Sequence, residues 1–213
     1  MTSIVMLNAM DLSDSSCPQY WPDEGSQDHG LFTVTVANVV KFDGYNVKLM
    51  KLEHRRQKRS QYLKHYQVTD WPVNQEMPKS PSTLLHLILT VEKEKEKGKH
   101  SPILVHCIDG LNRSGVFCVL KNSLDRLHQD DTVDIMQTTK VLRLNRPNML
   151  NDLNLYRFCY DAMLAYVSNP DEFRVDIMPQ PVYENMPAKQ EEKATPEESI
   201  YQNVEKPPES SEA

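Results

Sequence analysis

Residues 102–115 read PILVHCIDGLNRSG: a short apolar run, His106 and Cys107, five further residues, then Arg113, Ser114 and Gly115. The spacing has a physical reason. Five residues can wrap a semicircle, so that the backbone N–H groups of Ile108, Asp109, Gly110, Leu111 and Asn112 point at one centre. The helix that follows adds its positive N-terminal end. Arg113 can close the ring with a planar fork that matches phosphate oxygens two at a time. Cys107 then lies beneath the phosphorus, where amides, guanidinium and helix end favour its thiolate. Ser114 can donate a hydrogen bond to the sulfur when it acts as leaving group. The predicted chemistry is attack of a thiolate on a phosphate ester. A core cysteine beside an unrelated arginine is the plain alternative, and five residue types in a strand-loop-helix setting argue against it. Cys118 and Cys159, by contrast, sit in apolar helical stretches and read as small core residues.

Such a loop needs a strand to enter it and a helix to leave it. PILVH (102–106) supplies a short buried strand, and a helix follows over about Ser114–His128. Upstream, Ile4–Leu7 has strand character. Leu31–Val40 is rich in β-branched residues, and Asp43-Gly44 turns it into Tyr45–Glu53, a hairpin pattern. Tyr62–Thr69 is a further strand. A helix starts at Ser80-Pro81, with Ser80 as N-cap and Pro81 at the first position. It points Leu84, Leu85, Ile88, Leu89 and Val91 inward and ends by Gly98. Two more helices are expected over Thr132–Asn145 and Asn151–Val167. Strands early and helices late predict an α/β (α+β) domain, a central mixed sheet flanked by helices with the site at a strand-to-helix turn.

Composition divides the chain. Of 213 residues, 39% are hydrophobic, and the polar excess lies at the C-terminal end. Residues 170–213 hold seven of the fourteen prolines and eleven Asp/Glu against four Lys/Arg, so with a total charge of −6 residues 1–169 are close to +1. A domain over 1–169 and a disordered acidic tail over 170–213 are therefore expected, since such a tail cannot bury enough apolar surface to offset its ordering entropy. Four cysteines without paired spacing suggest neither disulfides nor a metal site. With no signal peptide or long apolar run, they point to a reducing, cytoplasmic setting. No cofactor motif is present. The basic run at 54–59 and the mixed-charge run at 92–97 read as solvated surface, not as a nucleic-acid interface.

HCIDGLNRSG resembles the signature loop of the protein tyrosine phosphatases, usually HCSAG-x-GR[ST]G. The resemblance runs from about Ile4 to Val167. IVMLN (4–8) and CPQYWP (17–22) are similar to the family's IVMLT…KC-x-x-YWP segment. VTDWP (68–72) is similar to the approach to its mobile acid loop. LRLNRPNM (142–149) is similar to the LR-x-x-RP-x-M before its glutamine loop, with YRF (156–158) in register. The resemblance implies the phosphatase fold, with the N-terminal part of the family domain missing. It also implies a catalytic set of Cys107, Arg113, Ser114 and His106. Asp109, the run Val133-Asp134-Ile135 and the altered acid loop look most like the second, membrane-distal domain of receptor-type enzymes, inside the cell.

Measured against that family, the catalytic set is incomplete. The acid loop places an aspartate after Trp-Pro. Here Trp21-Pro22-Asp23 lies 84 residues before Cys107, in the wrong segment, whereas Trp71-Pro72-Val73 lies in the right place and ends in a residue with no proton to give. Losing a general acid costs about 10²–10⁴ in rate. Glu76, three positions on, is badly displaced as a substitute. Asn112 replaces a glycine and is expected to crowd the ring or to disfavour a positive φ, although asparagine tolerates that region best. Asp109 weakens anion binding if it faces inward. The water-positioning glutamines appear as Asn151 and Leu155, of which only the first has a polar group to offer.

Three functions compete on these residues. The first is an impaired phosphatase domain serving as a regulatory or interaction module for phosphotyrosine proteins or an adjacent active domain. The second is a slow phosphatase. The third is a scaffold working through Tyr183 and Tyr201, whose Tyr-x-Asn settings resemble, once phosphorylated, ligands of Src-homology-2 adaptors.

Overall fold

The computed structural model describes residues 3–10, 17–72, 74–96 and 102–174. β1 (Ser3–Met6), β2 (Ser26–His29), β3 (Phe32–Phe42), β4 (Tyr45–His54), β5 (Arg59–Val68) and β6 (Ile103–His106) form one sheet, in the order β2-β3-β4-β5-β1-β6. The first four in that order are antiparallel neighbours; β1 then runs parallel to both β5 and β6. The β3–β4 hairpin closes at Asp43-Gly44, where Phe42 pairs with Tyr45. β2 (SQDH) is exposed throughout and carries no apolar alternation, so only its pairing with β3 makes it a strand.

Strand periodicity sends alternate side chains to opposite faces. Val5, Leu7, Tyr45, Val47, Tyr66 and Val68 join the main core, and Met6, Met50 and Leu63 point the other way, under Trp21. The helices cover the first face: α1 (Pro81–Glu96), α2 (Asn112–Asp130), α3 (Ile135–Asn145) and α4 (Leu153–Ser168). In α1, Ser80 Oγ accepts the Ser82 N–H at 3.1 Å, the expected cap. Leu87 is buried beside Leu84, Leu85, Ile88 and Val91, whereas Leu89, expected inward, is only partly covered.

The other helix starts move by a turn or less. α2 begins at Asn112, two residues before the expected Ser114, which places Asn112 and Arg113 in its first turn rather than in the loop. α3 begins at Ile135, not Thr132, because Asp134 accepts the Gln137 N–H at 2.8 Å; α4 begins at Leu153, because Asp152 accepts the Leu155 N–H at 2.8 Å. Acidic caps outweigh the weaker signals upstream of them.

The packed chain also continues past Asn169. Pro170–Phe173 forms a 3-10 turn that buries Phe173 against His86 and Tyr166. Composition drew its boundary at residue 170, and one aromatic anchor carries the fold four residues further. Residues beyond 174, including Tyr183 and Tyr201, lie outside the described residues. Among the described residues no helix is long and apolar enough to cross a membrane. Phe173→Ala is expected to cost about 3 kcal/mol in urea unfolding, the scale for emptying a buried aromatic site. A change below about 0.5 kcal/mol would show that the turn is not part of the domain.

Candidate active site

β6 delivers His106 and Cys107 to the sheet's C-terminal edge, and α2 begins five residues later. Between them the chain folds into a tight arc. Gly110 has φ +69, a left-handed conformation open to glycine. A second glycine sets the neighbouring wall. A Cβ on Gly115 would stand 2.8 Å from the Leu150 nitrogen, so its absence lets the loop before α4 lie against α2. That loop is held by Arg143, which donates to the carbonyls of Met149 (2.9 Å) and Leu150 (2.8 Å), and Leu150 N–H reaches the Leu111 carbonyl at 3.2 Å. Arg146 donates to the Asp109 carbonyl at 3.0 Å, bracing the arc from outside. These two arginines belong to LRLNRPNM, whose resemblance to the family was legible while their task as carbonyl clamps was not.

Cys107 is buried at the base of the arc. Its sulfur accepts the Gly110 N–H at 3.2 Å and the Ser114 hydroxyl at 3.2 Å. The remaining arc amides do not face an empty centre. Asp109 is exposed at the rim of the arc and leans its carboxylate over it: Oδ1 accepts the Leu111 N–H at 2.9 Å and lies 3.3 Å from the Cys107 sulfur. Its own N–H and that of Asn112 add further hydrogen bonds. Burial pushes the Asp109 carboxyl up, but the hydrogen bonds from Leu111, Cys107, Asp109 and Asn112 outweigh it, and its pKa falls below the ordinary 3.8.

Arg113 is committed as well. Its Nη1 donates to the carbonyls of Trp71 (2.7 Å) and Leu7 (3.3 Å), and its Nη2 to those of Pro72 (2.7 Å) and Gln75 (2.9 Å). The guanidinium carbon sits 4.6 Å from the Trp71 ring centre, and the Trp71 indole N–H itself reaches the Gln75 carbonyl. The acid loop is thus folded over the arginine. The planar fork donates to four backbone carbonyls here. Burial lowers the Arg113 pKa, and the nearby Cys107 and Asp109 work in the opposite direction. Val73 falls outside the described residues.

An open cleft of about 290 Å³ leads to this site, lined by Cys107, Asp109, Arg113, Gln75, Glu76 and Leu155 among others. Ile108 is exposed at its rim. Asn112 neither crowds the arc nor adopts a positive φ. It is helical, and its Oδ1 accepts the N–H groups of Asn151 (3.1 Å) and Asp152 (3.3 Å), tying α2 to the start of α4. Leu155 is buried against the cleft, and Asn151 meets α2 through its backbone N–H. Trp21-Pro22-Asp23 stands on the far face of the sheet, with Trp21 buried there and Asp23 accepting from Gln19 at 2.8 Å. Cys159 is fully buried, and burial pushes its thiol up to about 12, an inert core residue.

Two residues that sequence reasoning passed over also belong here. Tyr20 Oη lies 2.7 Å from His65 Nε2 and 2.8 Å from His106 Nε2. Tyr20 fell within the matched YWP segment, but nothing in the sequence indicates that it meets a histidine 86 positions away.

Residues 1–165 match the family model for the protein-tyrosine phosphatases. Receptor-type tyrosine-protein phosphatase S of Gallus gallus is 37% identical over 174 residues, 81% of this chain and 11% of the relative. Receptor-type tyrosine-protein phosphatase C of Homo sapiens is 35% identical over 172 residues, 76% of this chain and 13% of the relative. For receptor-type tyrosine-protein phosphatase alpha of Mus musculus the identity is 32% over 166 residues, 78% of this chain and 20% of the relative. The chain thus spans at most about a fifth of the length of these relatives.

Asn112→Ala leaves the N–H groups of Asn151 and Asp152 without their acceptor and is expected to cost about 1–2 kcal/mol in urea unfolding. Asp109 makes its own pH signature. Its folded pKa is depressed, so its contribution to stability is present above 3.8 and is lost as the pH falls through the lower folded value. In acid titrations of stability, Asp109→Asn should flatten this part of the profile; an unchanged profile would place the carboxylate outside the arc.

Proposed function

Because the chain belongs to the protein-tyrosine phosphatase family, we propose that its phosphate cup is occupied by its own Asp109 carboxylate and that the domain is a catalytically impaired regulatory module. The carrying observation is the position of Asp109 Oδ1, 2.9 Å from the Leu111 nitrogen and 3.3 Å from the catalytic-position sulfur. A phosphate oxygen would need the same amides. It would have to displace a carboxylate tethered in place, whose effective concentration is far above that of a free ligand. It would also bring two or more negative charges beside a fixed one.

The other departures act on later steps. Attack requires the sulfur as thiolate, and a carboxylate 3.3 Å away repels that charge. Expulsion of the phenol requires a proton that Val73 does not carry. Hydrolysis of the cysteinyl phosphate requires an oriented water, and the buried Leu155 offers no polar group for it. Arg113 would have to exchange acid-loop carbonyls for phosphate oxygens. In this reading the domain serves phosphotyrosine signalling beside an active phosphatase domain, and Tyr183 and Tyr201 give adaptors of the Src-homology-2 type a handle. One observation favours the slow-phosphatase alternative: Glu76 lines the same cleft as Cys107 and offers a carboxyl group where the acid loop lacks one.

Orthovanadate binding separates the two readings. Asp109→Ala is expected to tighten it at least tenfold, the scale of one charge-assisted hydrogen bond together with relief of like-charge repulsion. Aryl-phosphate turnover gives the second arm. Val73→Asp alone should add little, whereas Val73→Asp on an Asp109→Ala background should gain about 10²–10⁴ over Asp109→Ala. Unmodified protein that turns over an aryl phosphate as fast as Asp109→Ala, with loss of activity in Cys107→Ser and in Glu76→Gln, would establish the slow-phosphatase reading instead.

A further inference from the structure

His65 lies on the sheet face turned away from the helices, completely buried, and touches none of the cup residues directly. Its Nε2 and the Nε2 of His106 share one phenol, that of Tyr20, at 2.7 and 2.8 Å. A phenol has one proton, so it donates to one imidazole and accepts from the other.

Two orientations are open, and the surroundings separate them. If Tyr20 donated to His65, the His65 proton would sit on Nδ1, a buried atom with no hydrogen-bond partner. A buried N–H without an acceptor costs about 1–3 kcal/mol. His106 would then have to donate from Nε2. The adjacent Cys107 backbone favours a proton on the same ring, and protons on both ring nitrogens would make the imidazolium. Burial disfavours that charge. In the reverse orientation every proton has a place. His65 donates from Nε2, Tyr20 donates to His106 Nε2, and His106 stays neutral with its proton on Nδ1. The unpartnered His65 Nδ1 is then only a lone pair, the less costly orphan. His65 is also kept neutral by its setting. Burial lowers its pKa to about 3, and Lys48, whose ammonium stands 4.8 Å above the Trp21 ring that packs on His65, adds to that effect.

We propose that His65 is a positioning residue for His106, the residue before Cys107: by donating to Tyr20 it orients the phenol proton toward His106 and fixes His106 as the Nδ1–H tautomer at the entry to the cup. The chain of effects runs through the sheet from its far face to the sulfur. It concerns how the loop is held around the thiol, not turnover, and stands independently of whether Asp109 fills the cup.

The unmodified protein supplies the first test, since ¹⁵N–¹H correlation spectra distinguish imidazole tautomers. His65 is expected as Nε2–H and His106 as Nδ1–H; His65 as Nδ1–H overturns the proposal without any variant. The second test reads Cys107 alkylation by iodoacetamide at pH 7, resolved from the other three cysteines by peptide mass spectrometry. His65→Phe and Tyr20→Phe should each slow it about three- to tenfold, the scale of one net hydrogen bond, and their combination should slow it no further. His65→Gln, which keeps an N–H donor of similar reach, should recover most of the rate. A folded His65→Phe protein with unchanged alkylation and an unchanged His106 tautomer would show that His65 only fills space.

Discussion

Backbone N–H groups that converge on one point create a debt of hydrogen bonds, because an unpaired buried donor costs more than a made bond returns. The arc between Cys107 and Arg113 is such a convergence. Its amides need an acceptor whether or not a phosphate is present. Here the sulfur takes the Gly110 N–H, and the Asp109 carboxylate takes that of Leu111 and its neighbours. The same geometry that predicts an anion site therefore lets the chain's own carboxylate bond to this arc.

The arginine follows the same logic. A half-buried guanidinium needs acceptors, and carbonyls from Leu7, Trp71, Pro72 and Gln75 provide them. That requirement couples β1, the acid loop and α2 into one unit around the site. Gly115, Arg143 and Asn112 add the fourth wall by holding the loop before α4 against α2. On the opposite face of the sheet, Trp21 and Tyr20 cover Met6, Met50 and Leu63 and bring a phenol between two imidazoles. Site and scaffold are therefore not separable layers: each polar group that shapes the cup is also a structural bond.

Several elements were readable directly from residue pattern. The hairpin at Asp43-Gly44, the cap at Ser80 and the strand entering Cys107 follow from turn chemistry, capping and a short apolar run. Others had no local signal. β2 is polar on both faces and exists because β3 offers it a partner. Phe173 lies in a stretch whose composition resembles a tail, and a pocket formed by His86 and Tyr166 overrules it. Asn112 shows the commonest failure. From sequence it was judged against the glycine it replaces and expected to distort the loop, but its partners, the N–H groups of Asn151 and Asp152, come from 39 and 40 residues away.

By itself the sequence determined the family and the loop whose spacing suits an anion. Cysteine, arginine and the five residues between them are neighbours along the chain, and short-range spacing carries that information. It also determined that Val73 brings no acid, a matter of side-chain composition alone. Only the tertiary structure decided the contacts of Asp109, the engagement of Arg113 and the partner of His106. Those depend on rotamers and on residues brought together from distant segments, and no spacing rule reports which way a carboxylate turns.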